Sequence, residues 1–286
     1  MLGRSLLMKA SGARLLYPTY VQDYLDRVTA ADVAAGNTLG LELGVTDAFN
    51  TCLQAMVADT SLGVSGGVLA QAASLIKASC AMQGARTLPG ALVPLAADMP
   101  APTNVGPFVA GDYNRRTGLG DPANVSKYLN SNQTATVTSA TNTHQSVFVT
   151  TKPTVGAIFS GSDNLSNQRY LLYYNLAANE TRAISGAVGL AYFGGAGSLE
   201  VGFKGVSRDN SLTFVGRSNA SSSTVTSASA NTALLNSFIF AVNTSGSANS
   251  HSNARLNFYS IGSALDLAIL DARITALSNA IQAAIP

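Results

Sequence analysis

Tryptophan is absent from this chain, cysteine and histidine occur twice each, and only 11% of the residues are charged. Each shortage excludes something. Cys52 and Cys80 have no CxxC spacing, so neither a disulfide framework nor a zinc site is indicated; both are expected as buried thiols on apolar helix faces. His144 and His251 stand alone in Ser/Thr/Asn-rich stretches, without an HxH or HExxH pattern. The acid-poor C-terminal part offers few oxygen ligands for calcium. A net charge of +2 lacks the basic footprint of a nucleic-acid binder. No run approaches the ~18 apolar residues of a membrane span, so membrane insertion is not expected. The apolar run ending at Met8 is cut by Lys9, too short for the ~7–15 residues of a secretory h-region.

Catalytic signals are equally thin. Glycan cleavage needs two carboxylates flanking one bond. Between Pro122 and Arg208 the acids are Asp163, Glu180 and Glu200, each isolated. Gly63-Val64-Ser65-Gly66-Gly67 has the spacing of a nucleophile elbow, but that motif needs a strand before it and a helix after it, and here it joins two helical patterns. Gly194-Gly195-Ala196-Gly197 is followed by neither a lysine nor a helix signal, so it reads as a turn and not a phosphate loop. No catalytic residue, metal ligand or cofactor site is assigned, and the chain reads as a binding or structural protein.

What is present is an apolar fraction of 47% and an abundance of Ser, Thr, Asn and Gly. A polar, weakly charged surface of this kind suits a chain packed against copies of itself or against a larger assembly. Residues 1–88 read as a helical docking region. Thr19 opens a helix with Val21, Tyr24, Leu25 and Val28 on one face; Thr46 and Asp47 open a second with Phe49, Cys52, Leu53 and Met56; a third carries Leu69, Ala72, Ile76 and Cys80. Five prolines between Pro89 and Pro107 exclude a helix interior or a central strand, so 89–107 reads as an extended linker. From 108 to 262, short runs such as Gln145–Thr150, Tyr170–Tyr174, Ser211–Val215 and Phe238–Val242 alternate with Gly/Ser/Asn turns, the pattern of an all-β sandwich or barrel. Residues 263–286 form an amphipathic helix capped by Asp266. Its Leu267, Leu270, Ile274, Leu277 and Ile281 make two heptads of an a/d seam, available for assembly or for packing on the same domain.

Two segments carry a family resemblance. One is Phe108-Val109-Ala110-Gly111-Asp112-Tyr113-Asn114-Arg115-Arg116-Thr117-Gly118-Leu119, followed by Lys127-Tyr128-Leu129-Asn130-Ser131-Asn132. The other is Ala254-Arg255-Leu256-Asn257-Phe258-Tyr259-Ser260-Ile261-Gly262. Together they resemble virion proteins of tailed phages, especially cyanophages, that carry a concanavalin A-like (laminin G-like) jelly roll. The helical stretch from Tyr20 to Leu95 resembles the segment that often precedes it. The resemblance implies a mainly β fold, an antiparallel jelly-roll sandwich with a small helical N-terminal region and a closing C-terminal helix. The first segment then supplies an early strand pair, the last a strand beside it, and Gly202–Asp209 and Leu212–Arg217 paired central strands. It also implies a place in the virion, contacts with other virion proteins and homotrimers. The expected role is a tail fibre or appendage adhesin for a host surface glycan, with a capsid decoration or head-fibre protein as the alternative and a glycan-degrading enzyme behind both. Arg169, Tyr173, Tyr174 and Arg182 are the residues whose types suit a sugar, though strand alternation sends about half of the tyrosines to the core.

Overall fold

The computed structural model describes residues 17–62, 70, 74–123, 126–136, 139–155, 158–164, 169–186, 191–192, 201–229 and 234–286. Two helices come first, α1 (Thr19–Ala34) and α2 (Leu43–Ala58), then strand β1 (Ile76–Ala81) and the short helix α3 (Leu88–Ala91). Next are β2 (Thr103–Val105), β3 (Tyr113–Asn114), β4 (Gly118–Gly120), β5 (Tyr128–Thr134), β6 (Thr143–Thr151) and β7 (Ile158–Asp163). There follow β8 (Arg169–Asn175), β9 (Glu180–Ser185), β10 (Ala191–Tyr192), β11 (Gly202–Arg208), β12 (Thr213–Ser218) and β13 (Ser221–Thr226). Finally come β14 (Asn236–Ile239), β15 (Val242–Thr244), β16 (Ser247–Asn249), β17 (Arg255–Gly262) and the helix α4 (Leu267–Ala284).

The strands form two sheets stacked as a jelly-roll sandwich, the mainly β fold class expected. One runs β13-β12-β11-β6-β17-β4-β3, with β1 also on β17; the other runs β10-β9-β8-β7-β14-β5-β2, with β15 and β16 attached through β7. All pairings are antiparallel except β15 with β7. The first sheet is the inner one, covered on both sides along β6, β11 and β17. Val147, Val149, Val206, Phe214, Tyr259 and Ile261 meet the second sheet, whereas Phe148, Phe203 and Phe258 meet α1, α2 and α4. Two apolar layers therefore lie on either side of one sheet, and hydrophobic burial on both faces holds the three layers together. β3 pairs with β4, β17 lies beside β4, and β11 pairs with β12, as implied, but β12 stands next to the edge strand β13 and not at the centre of its sheet. At Gly118, with φ +92°, a Cβ would stand 2.1 Å from the Leu256 carbonyl, so the close approach of β4 to β17 requires glycine.

Several expectations need correction. Ile76–Ala81 is a strand paired with β17, not part of a third helix, and Cys80 lies on it. The small, apolar set Ala78, Cys80 and Ala81 fits a strand buried on both faces, and burial on this sheet overrides a helix-like spacing. Helix α2 starts at Leu43, before Thr46. Residues 89–107 are not a free linker. Pro89 occupies the first turn of α3, where a missing N–H costs nothing; Pro94 bridges Cys80; Leu95 and Met99 are buried; β2 is an edge strand. The expected strand Phe238–Val242 breaks at Phe240, which is buried with φ +72°.

The N-terminal helices are locked to the sandwich by polar contacts as well. Asp32 of α1 is buried and accepts from Arg86 N, Thr87 N and Thr87 Oγ1 at 2.7–2.8 Å. Glu42 holds Arg115 through both guanidinium ends and also contacts Arg86 at 2.8 Å. The Arg115 hydrogen bond keeps its carboxyl below the ordinary value.

Candidate functional site

On the second sheet β8 alternates between the core and an outer side, whereas its neighbour β7 is buried at five consecutive positions. On β8, Tyr170, Leu172 and Tyr174 point inward, whereas Arg169, Leu171, Tyr173 and Asn175 face out. Register places Tyr173 opposite Arg182 on one side and Ile158 on the other. Arg182 also holds Glu180 on its own strand, with Nη2 2.5 Å and Nε 2.6 Å from Oε1. Two of the four candidate ligand residues thus adjoin: Tyr173, half-buried, and Arg182. Arg169 lies four residues along the strand from Tyr173, roughly 13 Å away, against Asp163 at 3.0 Å. Tyr174 is a correction. It is 2% exposed, packs between the sheets and donates its hydroxyl to Asn179. Alternation along the strand forbids Tyr173 and Tyr174 from sharing a face.

The carboxylates do not converge. Asp163 stands opposite Arg169 and Glu180 opposite Asn175, at the two ends of β8. Six residues of strand separate them by roughly 20 Å, against the ~5–10 Å glycoside hydrolysis needs. Asp209 follows β11 on the other sheet. Glu200, the Gly63–Gly67 motif and the Gly194–Gly197 run lie outside the described residues. Among the described residues no group of three His, Cys, Asp or Glu is placed to hold a metal ion, and no helix is long and apolar enough to cross a membrane.

A buried polar chain does exist, and its geometry explains it as structure. His144 Nδ1 lies 2.6 Å from the Ser263 carbonyl, His144 Nε2 3.0 Å from Ser260 Oγ, and Ser260 Oγ 2.7 Å from Ser146 Oγ. The carbonyl can only accept, so Nδ1 carries the proton, Nε2 accepts from Ser260, and Ser146 donates to Ser260. Burial lowers the imidazole to about 4. His144 and Ser260 are fully buried and Ser146 nearly so, which leaves a substrate no access. Lys204 is likewise buried, donates to Ser218 Oγ at 2.7 Å, and is lowered to about 8 by desolvation. Cys52 and Cys80 are free, buried thiols pushed up to about 12, away from the reactive thiolate form.

The α4 seam is the second correction. Leu267, Leu270, Ile274, Leu277 and Ile281 are each at most 3% exposed and belong to the core shared by α1, α2 and the inner sheet. The stripe serves its own chain because two heptads gain a larger apolar partner there. Asp266 does cap the helix, accepting from Ala268 N and Ile269 N. Beside α4 lies a groove of about 640 Å³, floored by Phe148 and Phe203 and rimmed by Arg217, Asn219, Asp271 and Asn279. Arg217 Nε bonds Asp271 Oδ2 at 2.8 Å there. These residues come from four separated segments, so no local sequence signal reveals the groove.

No protein-family model matches the chain, and no curated protein matches it. Among solved structures it is similar to the NanB sialidase of Streptococcus pneumoniae, with 16% identity and a TM-score of 0.33 over 46% of this chain and 24% of that one. The chain thus spans about a quarter of that protein. It is also similar to the IT-sialidase CBM40 of Ruminococcus gnavus bound to α2,3-sialyllactose, with 13% identity and a TM-score of 0.33 over 46% and 80%. Domain 4 of AbnA, a GH43 extracellular arabinanase from Geobacillus stearothermophilus, in complex with arabinotriose, gives 12% identity and a TM-score of 0.41 over 71% and 98%. Likenesses at these values transfer no family and no activity to this chain.

Proposed function

We propose that this protein is a non-catalytic virion component of a tailed phage, a tail-fibre or appendage adhesin that assembles with copies of itself and binds a host surface glycan. The observation that carries the binding part is the outer side of β8 and β9, where half-buried Tyr173 lies between buried Ile158 and half-buried Arg182. An aromatic face stacks on the apolar side of a sugar ring, and a guanidinium donates to its hydroxyls. The separation of Asp163 from Glu180 supports adhesion over hydrolysis. The virion assignment rests on the resemblance of the 108–132 and 254–262 segments, whose strands lie side by side.

Titration of the purified protein with host surface polysaccharide tests the binding part. Tyr173→Ala and Arg182→Ala should each weaken binding at least tenfold, with no reducing ends released by the unaltered protein. Equal binding by these variants would remove the site. Imaging virions after deletion of the gene tests the station. Lost adsorption with intact heads supports the adhesin, whereas fragile or bare heads support a capsid decoration or head-fibre protein.

A further inference from the structure

The edges of the two sheets differ in a way that the glycan face does not explain. Among the described residues, the outermost strands β3 and β10 have two residues each, and β2 and β16 have three. Strand β1 has six, but Pro94 and Leu95 cover its outer side through the Cys80 bridge and the Leu95 N to Ser79 O bond. Strand β13 also has six residues, Ser221–Thr226, and five of them are exposed. Its register with β12 is unbroken over all six pairs, from Thr213 opposite Thr226 to Ser218 opposite Ser221. It carries no proline, no lysine, no bulge and no charge, the devices that normally blunt an edge.

We propose that β13 is the surface through which two copies of this chain join, strand against strand and antiparallel. A free edge presents a row of unpaired backbone N–H and C=O groups, and a second strand satisfies them. The side chains select a copy of the same strand. In any two-fold register within Ser221–Thr226 the facing residues are Ser, Thr or Val, which pair without like charges. An acidic or basic peptide would meet no countercharge on the edge. Joined this way, the inner sheet doubles its eight strands into one continuous sheet across a closed, isologous pair. The inference stands apart from the glycan reading and commits to two-fold order where the phage resemblance implies three.

Solution mass of the full chain, by sedimentation or light scattering at micromolar concentration, is the test. The protein should have the mass of two 29.3 kDa chains. Thr224→Lys should weaken association at least tenfold and leave a folded monomer with the circular dichroism of the parent. Mixing Thr224→Lys with Thr224→Glu should restore the pair. A monomeric parent protein, an oligomer of any order that Thr224→Lys leaves intact, or a failure of the mixed variants to associate would each overturn the proposal.

Discussion

Strands β6 and β17 of the inner sheet and β8 of the outer one are built by different rules. On the inner sheet, β6 is buried at seven consecutive positions and β17 at seven. On the outer sheet, β8 alternates buried and half-buried throughout. A sheet covered on both faces cannot use polarity to mark which side is which. It places His144, Gln145 and Ser146 in the interior beside Val147 and Phe148, and supplies specific partners for them: Ser260 and Ser263 for His144, Ser160 for Gln145. The outer side of β8 and β9 needs less of this matching, and Tyr173 and Arg182 stand there half-buried as candidate contacts.

Substitutions on the two sheets should separate accordingly. The largest loss is expected on the inner sheet. Phe203→Ala removes a fully buried ring from the contact with the helices and should cost about 3–5 kcal/mol in denaturant unfolding. A destabilisation under 1 kcal/mol would mean that the helices are not packed on this sheet. Next comes the buried ion pair between β12 and α4. Arg217→Met takes the cation from Asp271, which keeps only the Ala220 N and Thr275 Oγ1 donors, and should cost about 3 kcal/mol, whereas the double change Arg217→Met, Asp271→Leu should recover part of it, because the desolvated charge goes with its partner while those donors lose their acceptor.

The inner sheet should also show a pH dependence. His144 has a folded value of about 4, below its ordinary 6.5. Between those values the unfolded chain binds more protons, so stability is full above about pH 6.5 and falls as the pH drops toward 4, by about 3 kcal/mol in all. His144→Gln keeps a donor and an acceptor without a titrating ring. Melting scans from pH 7 to 4.5 should therefore be flatter for this variant than for the parent; equal slopes would place the dependence elsewhere. The smallest stability effect belongs to the outer face. Tyr173→Ala should cost under about 1 kcal/mol while weakening glycan affinity at least tenfold, and Tyr174→Phe, on the opposite face of the same strand, should leave that affinity unchanged.

Much of this architecture was legible. The alternation in Tyr170–Tyr174 marks a strand with one wet face, and its split of the tyrosines between core and surface follows from the pleat. Asp266 and the spacing of Leu267 to Ile281 specify a capped amphipathic helix. Cys80 shows where legibility stops. Ile76 and Cys80 are four apart, a helical spacing, yet they stand on a strand, because the segment pairs with β17, a partner nearly 180 residues away.

The sequence alone set the local periods, the turns and the chemical character of each segment, since these depend on neighbours a few residues apart. Only the tertiary structure decided which surfaces cover which: that the α4 seam is spent inside its own chain, that Arg115 and Asp32 clamp the helices to the sandwich, and that, among the described residues, Asp163 and Glu180 stand apart and one long edge strand is exposed. Those outcomes are set by contacts between distant segments, and the same local pattern is compatible with several such partners until the chain closes on itself.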